Sequence, residues 1–406
     1  MKHSKEASLA VSPTQTLART DEAVATSDVS RLDNDSVEKQ PLRASKTTKR
    51  LFLGLGWLDR LLAPLVLVFM IVGTAVGATT GDAIPRAFDQ VQFKGVSFPI
   101  VIGLLVMMWP VLTKVQYERL PEIAREKKLW YQIGISLILN WVIGPFVMLA
   151  IAWATLPDLP EYRIGVILVG VARCIAMVMI WNQLAGGDHN YCAIIVVINS
   201  VLQIVLFAPM AIFFINVISG ESEFSISYGT VAIDVLIYLG IPLVAGVVTR
   251  YGVWWATSRP WLETRFLPYF GPLALLGLLY TIFVLFAYQG NAIVNNLGPV
   301  FRTFVPMIVY FTIMWTGAFA FIFFLTRWKE EHFGYEMAVV QSFTAGSNNF
   351  ELAIAVAIAV YGVGSRQALA ATIGPLVEVP VLLSLTWDSL WLKRRLHWGP
   401  RNESRV

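Results

Sequence analysis

The sequence predicts an all-α polytopic membrane protein, with ten transmembrane helices arranged as two inverted five-helix repeats. Three observations carry this expectation. From Leu51 onward the chain is a succession of apolar runs of about 20 residues, the length a helix needs to cross a ~30 Å hydrocarbon core. Charged residues make up only 14% of the 406, against about 25% in soluble domains. The runs also divide into two sets of five, and an odd number of spans per repeat turns the second copy upside down in the membrane.

Residues 1–50 are polar and hold no Phe, Trp or Tyr. Such a segment cannot bury enough apolar surface to fold alone, so a disordered cytoplasmic tail is expected, with a regulatory or sorting role left open. No apolar core of a signal peptide follows the basic N-terminus. The ten spans are read as 58–78, 96–112, 130–153, 164–184, 191–218, 229–248, 270–287, 304–325, 333–361 and 367–391. The fifth, eighth, ninth and tenth are long enough to tilt. A membrane domain therefore covers 51–395, with repeat one at about 58–218 and repeat two at about 229–391, and a short cytoplasmic tail follows at 396–406.

Lys and Arg in the loops set the orientation. One set of loops carries Lys114, Arg119, Arg125, Lys127, Lys128, Arg250, Arg259, Arg265, Arg327 and Lys329. The alternate set carries only Arg86, Lys94, Arg163, Arg302 and Arg366. Both tails are basic beside the membrane, at Arg43, Lys46, Lys49 and Arg50 and at Lys393, Arg394 and Arg395. Both termini are thus expected in the cytoplasm, as an even number of spans requires. The sequence pI near 9.0 is not a nucleic-acid signal, because the bases lie in short loops rather than on one face. Two cysteines, Cys174 and Cys192, are too few for a disulfide framework.

The repeat is tested by setting the fourth span, "RCIAMVMIWNQLAGGD", over the ninth, "FELAIAVAIAVYGVGS". An offset of 177 places Cys174 on Glu351, Gly187 on Gly364 and Asp188 on Ser365. The stretch Thr344, Ala345, Gly346, Ser347, Asn348, Asn349 is poor helix inside an apolar run. In lipid such backbone is tolerated only where it lines a cavity or is buried in protein. A break there presents free carbonyls, N–H groups and half-helix ends at mid-membrane depth. Glu351 follows at once, and an intramembrane acid is a functional candidate by default; capping the half-helix is its structural alternative. A lone membrane cysteine is ordinarily a small packing residue, which suffices for Cys192. Cys174 differs, since its neighbour Arg173 is expected to face protein or water and favours a thiolate. Asn199 and Gln203 share a face of helix 5, and Glu378 sits between Pro375 and Pro380 in helix 10. These three either serve the site or satisfy the broken backbone. Asp234 in helix 6 is open between the same readings.

"ARCIAMVMIWNQLAGGD", "GSNNFELAIAVAIAVYG" and "GPLVEVPVLL" resemble the signatures of the arsenical-resistance-3 family of arsenite efflux permeases, part of the superfamily of bile-acid:sodium symporters. The resemblance covers roughly 51–395. It implies discontinuous helices 4 and 9 that cross near the substrate site, with a thiol in helix 4 and a carboxylate in helix 9 needed for transport. Cys174 and Glu351 stand at those positions. Trivalent arsenic is thiophilic, and neutral arsenite offers little electrostatic grip, so one reversible sulfur–arsenic bond is an effective handle that still lets go. The expected substrate set is Cys174 (the As(III) ligand), Arg173, Asn348 and Asn349. Glu351 and Glu378 are expected to couple ions, with Asn199 and Gln203 supporting. Two roles are open to Arg173: raising the thiolate fraction of Cys174, or holding the crossover together.

The function expected is secondary efflux of arsenite, with antimonite open, across the plasma membrane in exchange for protons. A sodium-coupled organic-anion symporter is the alternative. No cofactor is expected, and oligomeric state is open. No Walker A pattern appears, which argues against direct ATP use. An enzyme is disfavoured because His3, His189, His332 and His397 lie in tails or loops, leaving Cys174 without a catalytic base.

Overall fold

A backbone in lipid must satisfy its own hydrogen bonds, so the apolar runs become helices. The computed structural model describes residues 57–81, 83–88, 90–93, 96–119, 127–175, 177–220, 228–295, 297–328 and 332–398. The expected tail at 1–50, residues 399–406, the loop bases Lys94, Arg125 and Lys329, and the side chains of Lys127, Lys128 and Asp234 lie outside the described residues.

The chain opens with α1 (Trp57–Thr80) and α2 (Phe98–Lys114). Between them lie a short helix, Ala83–Phe88, and a two-residue antiparallel ribbon that sets Gln92 opposite Ser97 and Phe93 opposite Val96. Then come α3 (Leu129–Thr155), α4 (Pro160–Val171), α5 (Val178–Ala185), α6 (His189–Ile218), α7 (Val231–Ala256), α8 (Arg259–Asn291) and α9 (Leu297–Thr326). The last are α10 (Tyr335–Ala345), α11 (Phe350–Tyr361) and α12 (Arg366–Arg395). Among the described residues, α3, α6, α7, α8, α9 and α12 are long and apolar enough to cross a membrane. The protein is a multi-pass, helical membrane protein.

The helices pack in two groups. In one, α1 and α2 lie along α8, and α7 lies along α2. The α1–α8 contact depends on Gly73 and Gly77, a small-xxx-small pair that lets backbones approach; a Cβ at Gly77 would strike the Ala287 carbonyl. In the other, α12 packs on α4, α9 and α11, and α9 also packs on α3 and α10.

Ion pairs tie the linkers at the two ends. Arg250, wholly buried near the end of α7, donates to both Glu118 oxygens, at 3.0 and 2.5 Å. Arg259 lies 3.5 Å from the same carboxylate. Burial pushes the Glu118 carboxyl up, but the Arg250 hydrogen bonds and the charges of Arg250 and Arg259 outweigh it, so the carboxyl titrates below its ordinary range. At the other end Arg302 pairs with Asp158 at 2.6 Å and Arg366 with Glu161 at 2.7 Å. The Arg302 hydrogen bond holds the Asp158 carboxyl below its ordinary range.

Candidate functional site

The site is built on two interrupted helices. The interruption between α10 and α11 is shorter than the sequence suggests. Thr344 and Ala345 stay helical, because the Thr344 hydroxyl donates back to Val340 O (2.8 Å) and Gln341 O (3.1 Å) within its own helix, a local bond open to Ser and Thr. The break is Gly346, Ser347, Asn348 and Asn349. Asn349 then caps α11, its Oδ1 accepting from Leu352 N at 3.1 Å. The matching break follows α4, after Val171. It contains neither glycine nor proline among Ala172, Arg173, Cys174 and Ile175, and so has no strong local signal.

What opens that second break is its partner. Arg173 and Asn348 pair as a short antiparallel bridge. Asn349 N donates to Ala172 O at 3.2 Å. Asn348 Nδ2 donates to Val169 O (2.8 Å) and Ala172 O (3.0 Å), at the end of α4. The carbonyl just past the helix end, which has no helical partner of its own, is thus matched by the other chain segment, which also adds a second donor to Val169 O. The bridge joins residues 175 apart, whereas Asp188 and Ser365, which cap α6 and α12, are 177 apart. The segment from bridge to cap is two residues longer after Asn348 than after Arg173, so the offset of 177 holds at the caps and not at the crossover. Cys174 therefore lies in its break, while Glu351 lies in the first turn of α11.

Gln203 of α6 reaches both breaks. Its Oε1 accepts from Arg173 N at 3.0 Å and from Asn349 Nδ2 at 3.4 Å. Asn199, one turn away, accepts instead from Trp141 Nε1 at 3.1 Å. The Arg173 side chain is wholly buried; its Nη1 donates to the Tyr310 hydroxyl at 3.0 Å, and Tyr310 in turn donates to Ala345 O at 3.3 Å. Arg173 Nε and Nη2 have no hydrogen-bond partner among the described residues. Gly144 of α3 makes room for this guanidinium, since a Cβ there would stand 2.6 Å from Nη1. Tyr310 and Gly144 were not legible as site residues. A tyrosine in mid-span, whose hydroxyl must find a polar partner, is the signal that points to the first.

Cys174 is 2% exposed and Cys192 is wholly buried on α6. Glu378, 1% exposed on α12, lies within electrostatic reach of Glu351 and beside the Asn348 N–H, with its Oε1 unpartnered. Glu351 is partly buried. The structure thus gathers Arg173, Cys174, Asn348, Asn349, Gln203, Glu351 and Glu378 about one crossover, and sets Asn199 a turn aside. A soft sulfur donor, a buried cation and two carboxyls gathered about one crossover are chemically suited to a thiophilic solute. Among the described residues no three His, Cys, Asp or Glu side chains form a metal cage.

Residues 101–296 match the model of the Sodium Bile acid symporter family. The chain is 42% identical to the arsenical-resistance protein Acr3 of Corynebacterium glutamicum, over 84% of this chain and 91% of that one. It is 31% identical to the Acr3 of Alkaliphilus metalliredigens, over 86% of this chain and 95% of the relative. A transporter of Synechocystis sp. is 31% identical over 84% and 90% of the two chains. These relatives are transporters rather than enzymes. With the interrupted helices on the same stretch of sequence that carries the likeness, the chain belongs to the Acr3 family of arsenical-resistance transporters.

Proposed function

We propose that this protein extrudes arsenite from the cytoplasm across the plasma membrane in exchange for protons, with antimonite left open as a second substrate. In this reading the ten helical passages form two inverted five-helix repeats, and both termini are cytoplasmic. The observation that carries it is the crossover: a buried thiol in one helix break, and an acid in the first turn after the other.

Arsenite enters as the neutral trihydroxide. The Cys174 thiol condenses with it, forming a sulfur–arsenic bond and releasing one water; hydrolysis of that bond returns thiol and arsenite on the far side. Arg173, Asn348 and Asn349 meet the remaining hydroxyl groups. Glu351 is ionised while the site faces inward and takes a proton from outside once it faces outward, and Glu378 shares that proton. Release of the proton inside resets the cycle. Gln203 and Asn199 hold the crossover in shape.

A sodium-coupled organic-anion symporter is the second reading, favoured by the family model over 101–296 and by oxygen donors at Asn348, Asn349, Glu351 and Gln203. It gives Cys174 no part. Everted membrane vesicles under an imposed pH gradient discriminate the two. Native protein is expected to accumulate arsenite, and Cys174→Ser and Glu351→Gln to lose that accumulation. A serine variant that transports as well as the native chain sinks the thiol role and brings the sodium reading forward.

A further inference from the structure

A column of buried polar side chains leads away from the crossover. On α3, Gln132, Ser136, Asn140 and Gly144 recur every four residues and so share a helix face. The i→i+5 turn at Ile138–Ile143 keeps Asn140 and Gly144 on that face, because a wider turn returns every four to five residues. Gln132, Ser136 and Asn140 are at most 3% exposed, while Ile138 and Val142 on the opposite side are 56% and 51% exposed.

The foot of the column meets α10 and the linker before it. Gln341 Nε2 donates to Gln132 O (2.9 Å) and Oε1 (3.0 Å), and Gln132 Nε2 donates to His332 O at 2.8 Å. Higher up, Asn140 Nδ2 donates to Ser136 O at 2.9 Å and to its Oγ at 3.1 Å. At the top, Gly144 abuts the Arg173 guanidinium. Twelve residues of helix rise about 18 Å, enough to run from a surface loop to mid-membrane depth. His332 lies on the face that the Lys and Arg distribution assigns to the cytoplasm.

Polar side chains between membrane helices often serve as glue, but glue is paired on both sides. Among the described residues Gln341 Oε1 and Asn140 Oδ1 are buried acceptors without a partner, and Asn199 Nδ2 and Gln203 Nε2 are buried donors without one. Arg173 and Glu378 carry further such atoms at the far end. Buried polar atoms are ordinarily bonded to protein or to ordered water. Donors and acceptors left open on α3, α6 and α10 where these helices meet the column have the character of a site lined for water, which needs two to four polar partners.

We infer that this column is a hydrated path, lined by Gln132, Ser136 and Asn140 of α3 with Gln341 and Asn199, that carries protons between the cytoplasmic face at His332 and the Glu351–Glu378 pair. The inference deepens the proton-exchange reading and rests on it for direction, while hydration of the column stands apart from that reading.

Ser136→Cys and Asn140→Cys, with Ile138→Cys as the lipid-facing control, are reconstituted in liposomes and treated on both sides with a small charged methanethiosulfonate. The native chain, with Cys174 and Cys192, gives the background. Both column variants are expected to react at least tenfold faster than the control. Reaction no faster than Ile138→Cys overturns the path, and the near-isosteric serine variant keeps this arm decisive if Asn140→Cys does not fold. A pH dye sealed inside then follows proton movement during arsenite transport. Gln132→Leu and Gln341→Leu are expected to slow it at least tenfold, and unchanged proton movement in both overturns the delivery role even where labelling is positive. Failure of the exchange reading appears separately, as arsenite transport by the native chain with no proton movement.

Discussion

Arg173 concentrates the physical tension of the crossover. A buried cation is expensive unless it is paired and hydrogen-bonded, yet among the described residues only its backbone N–H and Nη1 donate to partners, in Gln203 and Tyr310. The uncommitted Nε and Nη2 are therefore the donors with most to gain from substrate oxygens. Gly144 keeps that guanidinium in place by having no side chain. Gly144→Ala sets a methyl 2.6 Å from Nη1 and 3.0 Å from the Tyr310 hydroxyl, so one of the two must move. Misplacing a positioned group by about 1 Å costs on the order of 100-fold in rate. We expect Gly144→Ala to reach the membrane in native amount and to transport arsenite at least tenfold more slowly. Native-rate transport by this variant would show that the position of Arg173 is not critical.

At the scale of elements, the Arg250–Glu118 pair binds the end of α7 to the linker after α2, with Arg259 at the start of α8 as a third member. Arg250 is wholly buried and the Glu118 side chain is 11% exposed, so losing Glu118 leaves the buried charge to the half-exposed Glu263, 3.9 Å away, and to the Thr113 carbonyl. Glu118→Gln is expected to lower stability at neutral pH by about 3 kcal/mol, the low end for breaking a buried pair. The depressed Glu118 carboxyl contributes stability that is complete above the ordinary carboxylate range and is lost as pH falls through its lowered value. The native protein should therefore weaken in acid by more than the Gln variant does. Thermal unfolding in detergent at pH 7 and at pH 4 measures both effects. Equal acid sensitivity in the two proteins would remove Glu118 from the account.

At the scale of the whole molecule, exchange of a neutral solute for a proton moves one charge per cycle. A membrane potential of 100 mV then supplies about 2.3 kcal/mol, or roughly a fifty-fold arsenite gradient, with no pH difference. A potassium diffusion potential, positive on the side that supplies protons, is expected to drive arsenite toward that side in liposomes buffered to equal pH. Flux that ignores the potential would mean that charge is compensated within the cycle. The same experiment in sodium-free medium separates proton from sodium coupling.

Much of this was legible along the chain, because lipid imposes a local rule: each span must be apolar, of sufficient length and internally bonded. The apolar runs announced the helices, the Gly346–Asn349 stretch announced one break, and the polar residues Arg173, Glu351 and Glu378 stood out where polarity is costly. The break after Val171 was not legible from its own residues, because Asn348 and Asn349, 175 residues away or more, open it by taking the Val169 and Ala172 carbonyls. The two-residue difference between the segments that follow Arg173 and Asn348 was hidden for the same reason, since register at a crossover is fixed by pairing and register at a loop by caps. Tyr310, Gly144 and the Gln132–Ser136–Asn140 column likewise look like ordinary span residues one helix at a time. By itself the sequence determined which segments are apolar enough to become helices in lipid and which residue types could serve a thiophilic solute, since burial in lipid acts on each helix separately. Only the tertiary structure decided which of those residues meet, because the partners of a broken helix come from elsewhere in the chain.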